Sequence, residues 1–202
     1  LEFISLNFPL NEIDIFHEGQ RLSSAFKSKI DGSLWSGSYV TVGIIHETLG
    51  SKLAWKFLGS ESIGSVRVLD LLYILITKIS LLFLIFEISK QVNIKNEYKI
   101  FFFILLSLIV LNFISYNSNN FDLFVFREIP IILALFFFIK TLNSHSNLNY
   151  FLIGFLSVFV FFWSIDRALV LNLFIFFILF LLIYNKKYRK LFILFFSILF
   201  FW

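Results

Sequence analysis

The sequence predicts an all-α protein, a polytopic transmembrane helix bundle of about six spans with a long N-terminal external loop that carries interfacial helices. Three observations predict it. The chain is 59% hydrophobic, with 31 Phe in 202 residues, and its mean hydropathy is +0.89; that is more apolar surface than a soluble domain of this size hides in one core. From Val66 onward the apolar residues gather into six runs, at residues 69–89, 100–117, 123–140, 150–164, 168–184 and 191–202. The basic residues collect in alternate connections between those runs, which is how loop charge orients a protein in a bilayer.

Residues 1–65 precede the runs and hold seven of the eight Gly, most of the scattered charges and no apolar stretch long enough to span. They predict a loop region outside the hydrocarbon core. Within it Leu22, Phe26 and Ile30 recur at helical spacing, and Leu53, Trp55, Phe57 and Leu58 do so more loosely beside Lys52 and Lys56. Short amphipathic stretches with Trp and Lys lie in the plane of the membrane interface. Between them, residues 32–43 carry Gly32, Ser33, Trp35, Ser36, Gly37, Ser38 and Gly43, a turn-rich connection.

Residues 66–202 form the predicted bundle. At about 1.5 Å per residue, about 20 residues cross the roughly 30 Å hydrocarbon core, and shorter runs cross by tilt and local thinning. The runs are too continuous in Phe, Leu and Ile for the alternation of a membrane β-barrel. Lys90, Lys95 and Lys99 follow the first run, Lys140 the third, and Lys186, Lys187, Arg189 and Lys190 the fifth, while the opposite connections carry only Arg167. One orientation satisfies all of them: residues 1–65 outside, then strict alternation. A net charge of +4 is therefore a topology signal and not a nucleic-acid footprint. The absence of Cys excludes disulfides, thiol catalysis and thiolate metal sites. Leu1 is not a Met and Trp202 falls inside an apolar run, so both ends read as cuts, with at least one further helix expected before Leu1.

With that orientation, the charges outside the basic loops fall mostly at the outer face. Glu12, Asp14, His17, Glu18, His46 and Glu47 lie in the long loop, Arg67 and Asp70 open the first span, Asp122, Arg127 and Glu128 the third, and Asp166 and Arg167 form the turn between the fourth and fifth. Arg127 and Glu128 lie about one and a half turns into an apolar run, where an unpaired charge costs on the order of 3 kcal/mol, so they require partners. Either an interhelical ion pair or a site for an anionic headgroup supplies them. Asp166 and Arg167 are open to the same two roles, or serve the turn alone. Lys78 is mid-span in the first helix and must face the bundle as a site residue or a structural partner, whereas Glu87 belongs at the inner interface near Lys90.

The segment 11–19, Asn-Glu-Ile-Asp-Ile-Phe-His-Glu-Gly, packs three carboxylates and an imidazole into nine residues. Such a group suits a general base, or a divalent-cation site in which Glu12, Asp14 and Glu18 are the oxygen ligands; a solvated charged loop has the same composition. His46 and Glu47 repeat the His-Glu pair without the spacing of a zinc site.

Asp-Ile-Phe-His-Glu-Gly at 14–19 resembles the start of the first external loop of C-type superfamily membrane glycosyltransferases, such as protein O-mannosyltransferases and lipid A aminoarabinose transferases. The stretch 58–67, Leu-Gly-Ser-Glu-Ser-Ile-Gly-Ser-Val-Arg, is similar to the approach to the second span in bacterial members. The motif resemblance covers residues 11–70 and the remainder only by hydropathy. It implies that Asp14 is the catalytic base; the acid that often follows directly is Ile15 here, which bears on metal dependence more than on the base.

The expected function is inverting transfer of a sugar from a polyprenyl-phosphate donor to an acceptor at the outer face of a bacterial inner membrane. Asp14 would deprotonate the acceptor hydroxyl, Arg67, Arg127 or Arg167 would stabilise the departing phosphate, and His17, Glu18, Asp122, Glu128 and Asp166 would complete the donor and acceptor sites. Membrane lipids are the other expected partners, and nucleic acid is not one. A transporter or lipid-linked sugar flippase would instead line a path with Lys78, Arg127 and Glu128, although only Gly154 and Pro130 could break a helix after residue 65. A polysaccharide polymerase or ligase acting on polyprenyl lipids is a third reading.

Overall fold

A computed structural model describes residues 17–34, 43–92, 95–113, 127–144 and 146–202, with backbone alone at His17, His46, 111–113 and Asn143. The described residues are predominantly helical, and no strand occurs among them. Helix α1 spans His17–Asp31, and a single π-helical turn, Ile45–Leu49, runs into α2, Gly50–Leu58. Six longer helices follow: α3 Ile63–Gln91, α4 Asn96–Phe113, α5 Ile129–Asn143, α6 Asn147–Trp163, α7 Ile165–Tyr184 and α8 Tyr188–Phe201.

These six helices fall on the six predicted apolar runs. Two of them, α3 and α7, are long and apolar enough to cross a membrane, whereas Ile129–Leu142 and Asn147–Trp163 are shorter apolar helices. The 17 residues of α6 reach about 26 Å at 1.5 Å per residue. Local signals set the boundaries. Ser62 caps α3, its Oγ accepting from the Ser65 amide at 3.3 Å, which satisfies one of the donors a helix start leaves open. Pro130 sits in the first turn of α5, where its missing N–H has no consequence.

Helix α6 is central and packs on α5, α7 and α8, while α3 packs on α4 and α5. Tyr150, Ile153, Leu156 and Val160 of α6, Leu171, Ile175 and Ile178 of α7 and Leu194 of α8 form the main core. Gly154 permits the contact with α8, because a Cβ there would lie 1.7 Å from Ser197 Oγ and 3.1 Å from the Leu194 carbonyl oxygen. Such close approach through small residues is how helices associate without a hydrophobic driving force. Asn172 of α7 adds a polar tie, donating to the Ser157 carbonyl of α6 at 3.0 Å.

The bundle is apolar outward. Leu173, Phe176 and Phe180 of α7 and Leu72, Leu75 and Phe83 of α3 are exposed, while Thr77, Ser80, Asn149, Ser157 and Ser197 are buried. Helix α1 shares this inversion. Glu18, Arg21, Ser24 and Ser28 form the buried stripe of α1, and Phe26 and Ile30 face out. In α2 Ala54 and Trp55 point inward and Leu53, Phe57 and Leu58 outward, so the loosely spaced apolar set divides between two faces. Leu22 packs partly into a cluster of Ala25, Ala54, Trp55 and Val66.

Candidate functional site

Two groups of charge occupy one end of the bundle, at the N-terminal ends of α3, α5 and α7. The first joins the loop to α3. Glu18 and Arg21 stand one helical turn apart on α1, as do Arg67 and Asp70 on α3, with the order of sign reversed. Arg67 donates from Nε and Nη2 to the two oxygens of Glu18, at 2.6 and 2.9 Å. Arg21 donates from both Nη atoms to the two oxygens of Asp70, at 2.8 Å each. All four side chains are buried. Burial alone would push the Arg21 guanidinium down, but the charge and hydrogen bonds of Asp70 outweigh it and hold Arg21 above its ordinary value. Gln20 donates to Glu47 at 3.1 Å and the Ser24 and Thr48 hydroxyls share a hydrogen bond of 2.6 Å, which fixes α1 to the π turn.

The second group is shallower and looser. Glu128 occupies the N-cap of α5, and Arg127 stands immediately before it. Asp166 and Arg167 lie in the first turn of α7. Arg167 Nε meets Glu128 Oε1 at 2.5 Å, while Asp166 is approached by Arg127 at 3.4 Å and by Arg167 at 3.6 Å. The Asp166 side chain is 46% exposed and that of Glu128 34% exposed, against 0% for Asp70 in the first group. The first group is therefore closed, whereas in the second the two acids reach the surface and Arg127 and Arg167 keep 13% and 20% exposure. Ser164 donates to Asp166 at 2.5 Å and orients it.

An apolar cluster of Tyr73, Ile129 and Trp163, with Ile45 and Leu69 against it, connects the two groups. The rings of Tyr73 and Trp163 meet edge to face at 5.3 Å. The loop is seated directly on this end: a Cβ on Gly43 would lie 2.1 Å from the Trp163 carbonyl oxygen, so no other residue fits without displacing backbone.

Of the residues singled out from sequence, Glu18 and Arg67 are brought together, but as partners of each other, and Arg127, Glu128, Asp166 and Arg167 are brought into one network. Arg127 and Glu128 stand at the start of α5 as described, not within it. Glu12, Asp14 and Asp122 lie outside the described residues, as does the side chain of His17. Both oxygens of Glu18 accept from Arg67, and the described residues contain no group of three or more acids and histidines arranged to hold a metal. Lys78 is half-buried on α3, and Glu87 pairs with Lys90 at 2.8 Å. Arg21, Tyr73 and Trp163 escaped the reading of the sequence. Arg21 had a legible signal, an acid and a base at i and i+3 facing a base and an acid at the same spacing; the aromatic pair had none.

Comparison with protein-family models, with curated proteins and with solved structures gives no match to this chain.

Proposed function

We propose that this chain is an integral membrane glycosyltransferase, transferring a sugar with inversion from a polyprenyl-phosphate donor to an acceptor at the outer face of a bacterial inner membrane. The observation that carries the proposal is the open Arg127–Asp166–Arg167–Glu128 network at two helix starts, on the end where the long loop docks. The donor's tail lies in lipid and its phosphate at the interface, at the depth of this network. Two guanidiniums and the N-terminal dipoles of α5 and α7 attract a phosphate.

The outward apolar faces of α3 and α7 support the membrane placement, since large exposed apolar patches mark contact with lipid or another protein. All six long helices then span, the shorter ones by tilt and local thinning of the bilayer. Phe26, Ile30, Phe57 and Leu58 let α1 and α2 rest in the interface with residues 1–65 on the external side.

In the reaction, Arg127 and Arg167 hold the donor phosphate as the bond between the anomeric carbon and the phosphate oxygen breaks. The lipid phosphate leaves with that electron pair, and needs no strong general acid. The acceptor oxygen attacks from the opposite face of the sugar, and its proton passes to Asp14. The buried pairs of α1 with α3 act one step away, by holding the helix that follows Asp14.

The test is transfer of radiolabelled sugar from polyprenyl-phosphate donors by the full-length protein. Asp14→Asn is expected to lower transfer by about 10²–10⁴-fold with insertion unchanged, and unimpaired transfer would exclude Asp14 as the base. Arg127→Gln and Arg167→Gln are expected to raise KM for the lipid donor. Absence of transfer from every such donor would refute the glycosyltransferase reading.

A further inference from the structure

The opposite end of the bundle carries a second feature that sugar transfer does not use. The C-terminal end of α3 and the N-terminal end of α4 diverge around a cleft of about 460 Å³, lined by Phe86, Ser89, Lys90, Asn96, Lys99 and Ile100, with Phe103 beyond. That volume falls in the roughly 300–1,000 Å³ range of small-ligand sites. Its polar lining is at one end and its apolar walls run along the helices, with Phe86 and Phe103 edge to face at 5.9 Å.

Charge complementarity identifies an occupant. On the two helix ends that form the cleft, the bases Lys90, Lys95 and Lys99 outnumber the acids Glu87 and Glu97 three to two. Glu87 pairs with Lys90 at 2.8 Å, and the same ammonium lies 4.0 Å from the Phe86 ring centroid. Lys99 has no acid within ion-pair distance among the described residues. The start of α4, an 18-residue helix, adds amides and a positive dipole end at the mouth. A basic mouth on apolar walls between two helices suits a phosphate that carries acyl chains, whereas a free phosphate leaves the walls unmatched.

We infer that this cleft is a binding site for an anionic phospholipid of the inner leaflet, its headgroup phosphate between Lys90 and Lys99 and its chains along Phe86, Ile100 and Phe103. The inference goes beyond sugar transfer and depends only on the membrane placement.

The full chain would be reconstituted in nanodiscs containing equal amounts of phosphatidylglycerol and phosphatidylcholine, and retained lipid measured by native mass spectrometry. The wild-type protein is expected to retain phosphatidylglycerol preferentially. Lys90→Gln and Lys99→Gln are each expected to lower that preference about fivefold, at about 1 kcal/mol per basic residue near a lipid surface. Lys187→Gln with Lys190→Gln, neither of which lines the cleft, is expected to leave it unchanged. No preference in the wild type, an unchanged preference in Lys90→Gln with Lys99→Gln, or an equal loss in Lys187→Gln with Lys190→Gln would each overturn the site; the last would show a diffuse basic end. Glycerol phosphate is expected not to displace the lipid, and displacement by it would mean that the cleft takes a free phosphate. Failure of the chain to enter nanodiscs would refute the membrane placement itself.

Discussion

Glu18, Arg21, Arg67 and Asp70 pair within one apolar environment, where each charge is tolerable only because its partner is present. Removing one partner of such a pair leaves an uncompensated buried charge, and Arg21→Gln is expected to lower stability by about 3–5 kcal/mol. Replacing both, Arg21→Met with Asp70→Leu, is expected to cost less than either single change, because no charge is stranded. Thermal unfolding in detergent measures both, and a double variant weaker than the sum of the singles would contradict the direct pairing. The open group contrasts with this. Asp166 is 46% exposed and its arginine contacts are 3.4 and 3.6 Å long, so Asp166→Asn is expected to change stability by no more than about 1 kcal/mol. Two arginines, one aspartate and one glutamate thus form a closed clamp in one place and a partly exposed network in the other, and burial distinguishes them.

At the scale of helices, two interfaces depend on backbone proximity. A Cβ at position 154 would lie 2.8 Å from the Ser197 Cβ, so Gly154→Ala forces α6 and α8 apart and is expected to destabilise the bundle by about 1–3 kcal/mol. Ser197→Gly in the same chain is expected to restore part of that loss, which thermal unfolding of the pair of variants would show. Helix α1 buries Glu18 and Arg21 and turns Phe26 and Ile30 outward, and α2 exposes Leu53, Phe57 and Leu58. Because the chain has no Cys, a single one reports on its own surroundings. A fluorophore on Phe57→Cys is expected to be quenched by nitroxides carried on lipid chains, and one on Glu61→Cys by aqueous quenchers. Equal aqueous quenching at both positions would place α2 in solvent.

For the whole molecule, orientation is the deciding property. Single cysteines at Glu61 and Lys187 are expected to react with impermeant maleimide from opposite sides of a sealed vesicle. Reaction from the same side would break the alternation inferred from the loops and separate the proposed outer site from the loop that carries Asp14.

Helix positions and the clustering of charge at one end were legible in the sequence, since apolar runs and loop lysines are properties of consecutive residues. They required only that the backbone satisfy its own hydrogen bonds and that charge avoid the apolar interior. Arg127 and Glu128 could likewise be recognised as needing partners, because the energetic demand is local. Which residues answered that demand was decided only by tertiary structure. Glu18 and Arg67 are 49 residues apart, and one bidentate contact turns both from accessible site candidates into a closed pair. Arg127 and Asp166 are 39 residues apart, and their contact is longer and leaves Asp166 46% exposed. Sequence determines where charges must be compensated along a chain; only packing determines which charges meet, how deeply they are buried, and therefore whether a pair fastens the fold or remains open to a ligand.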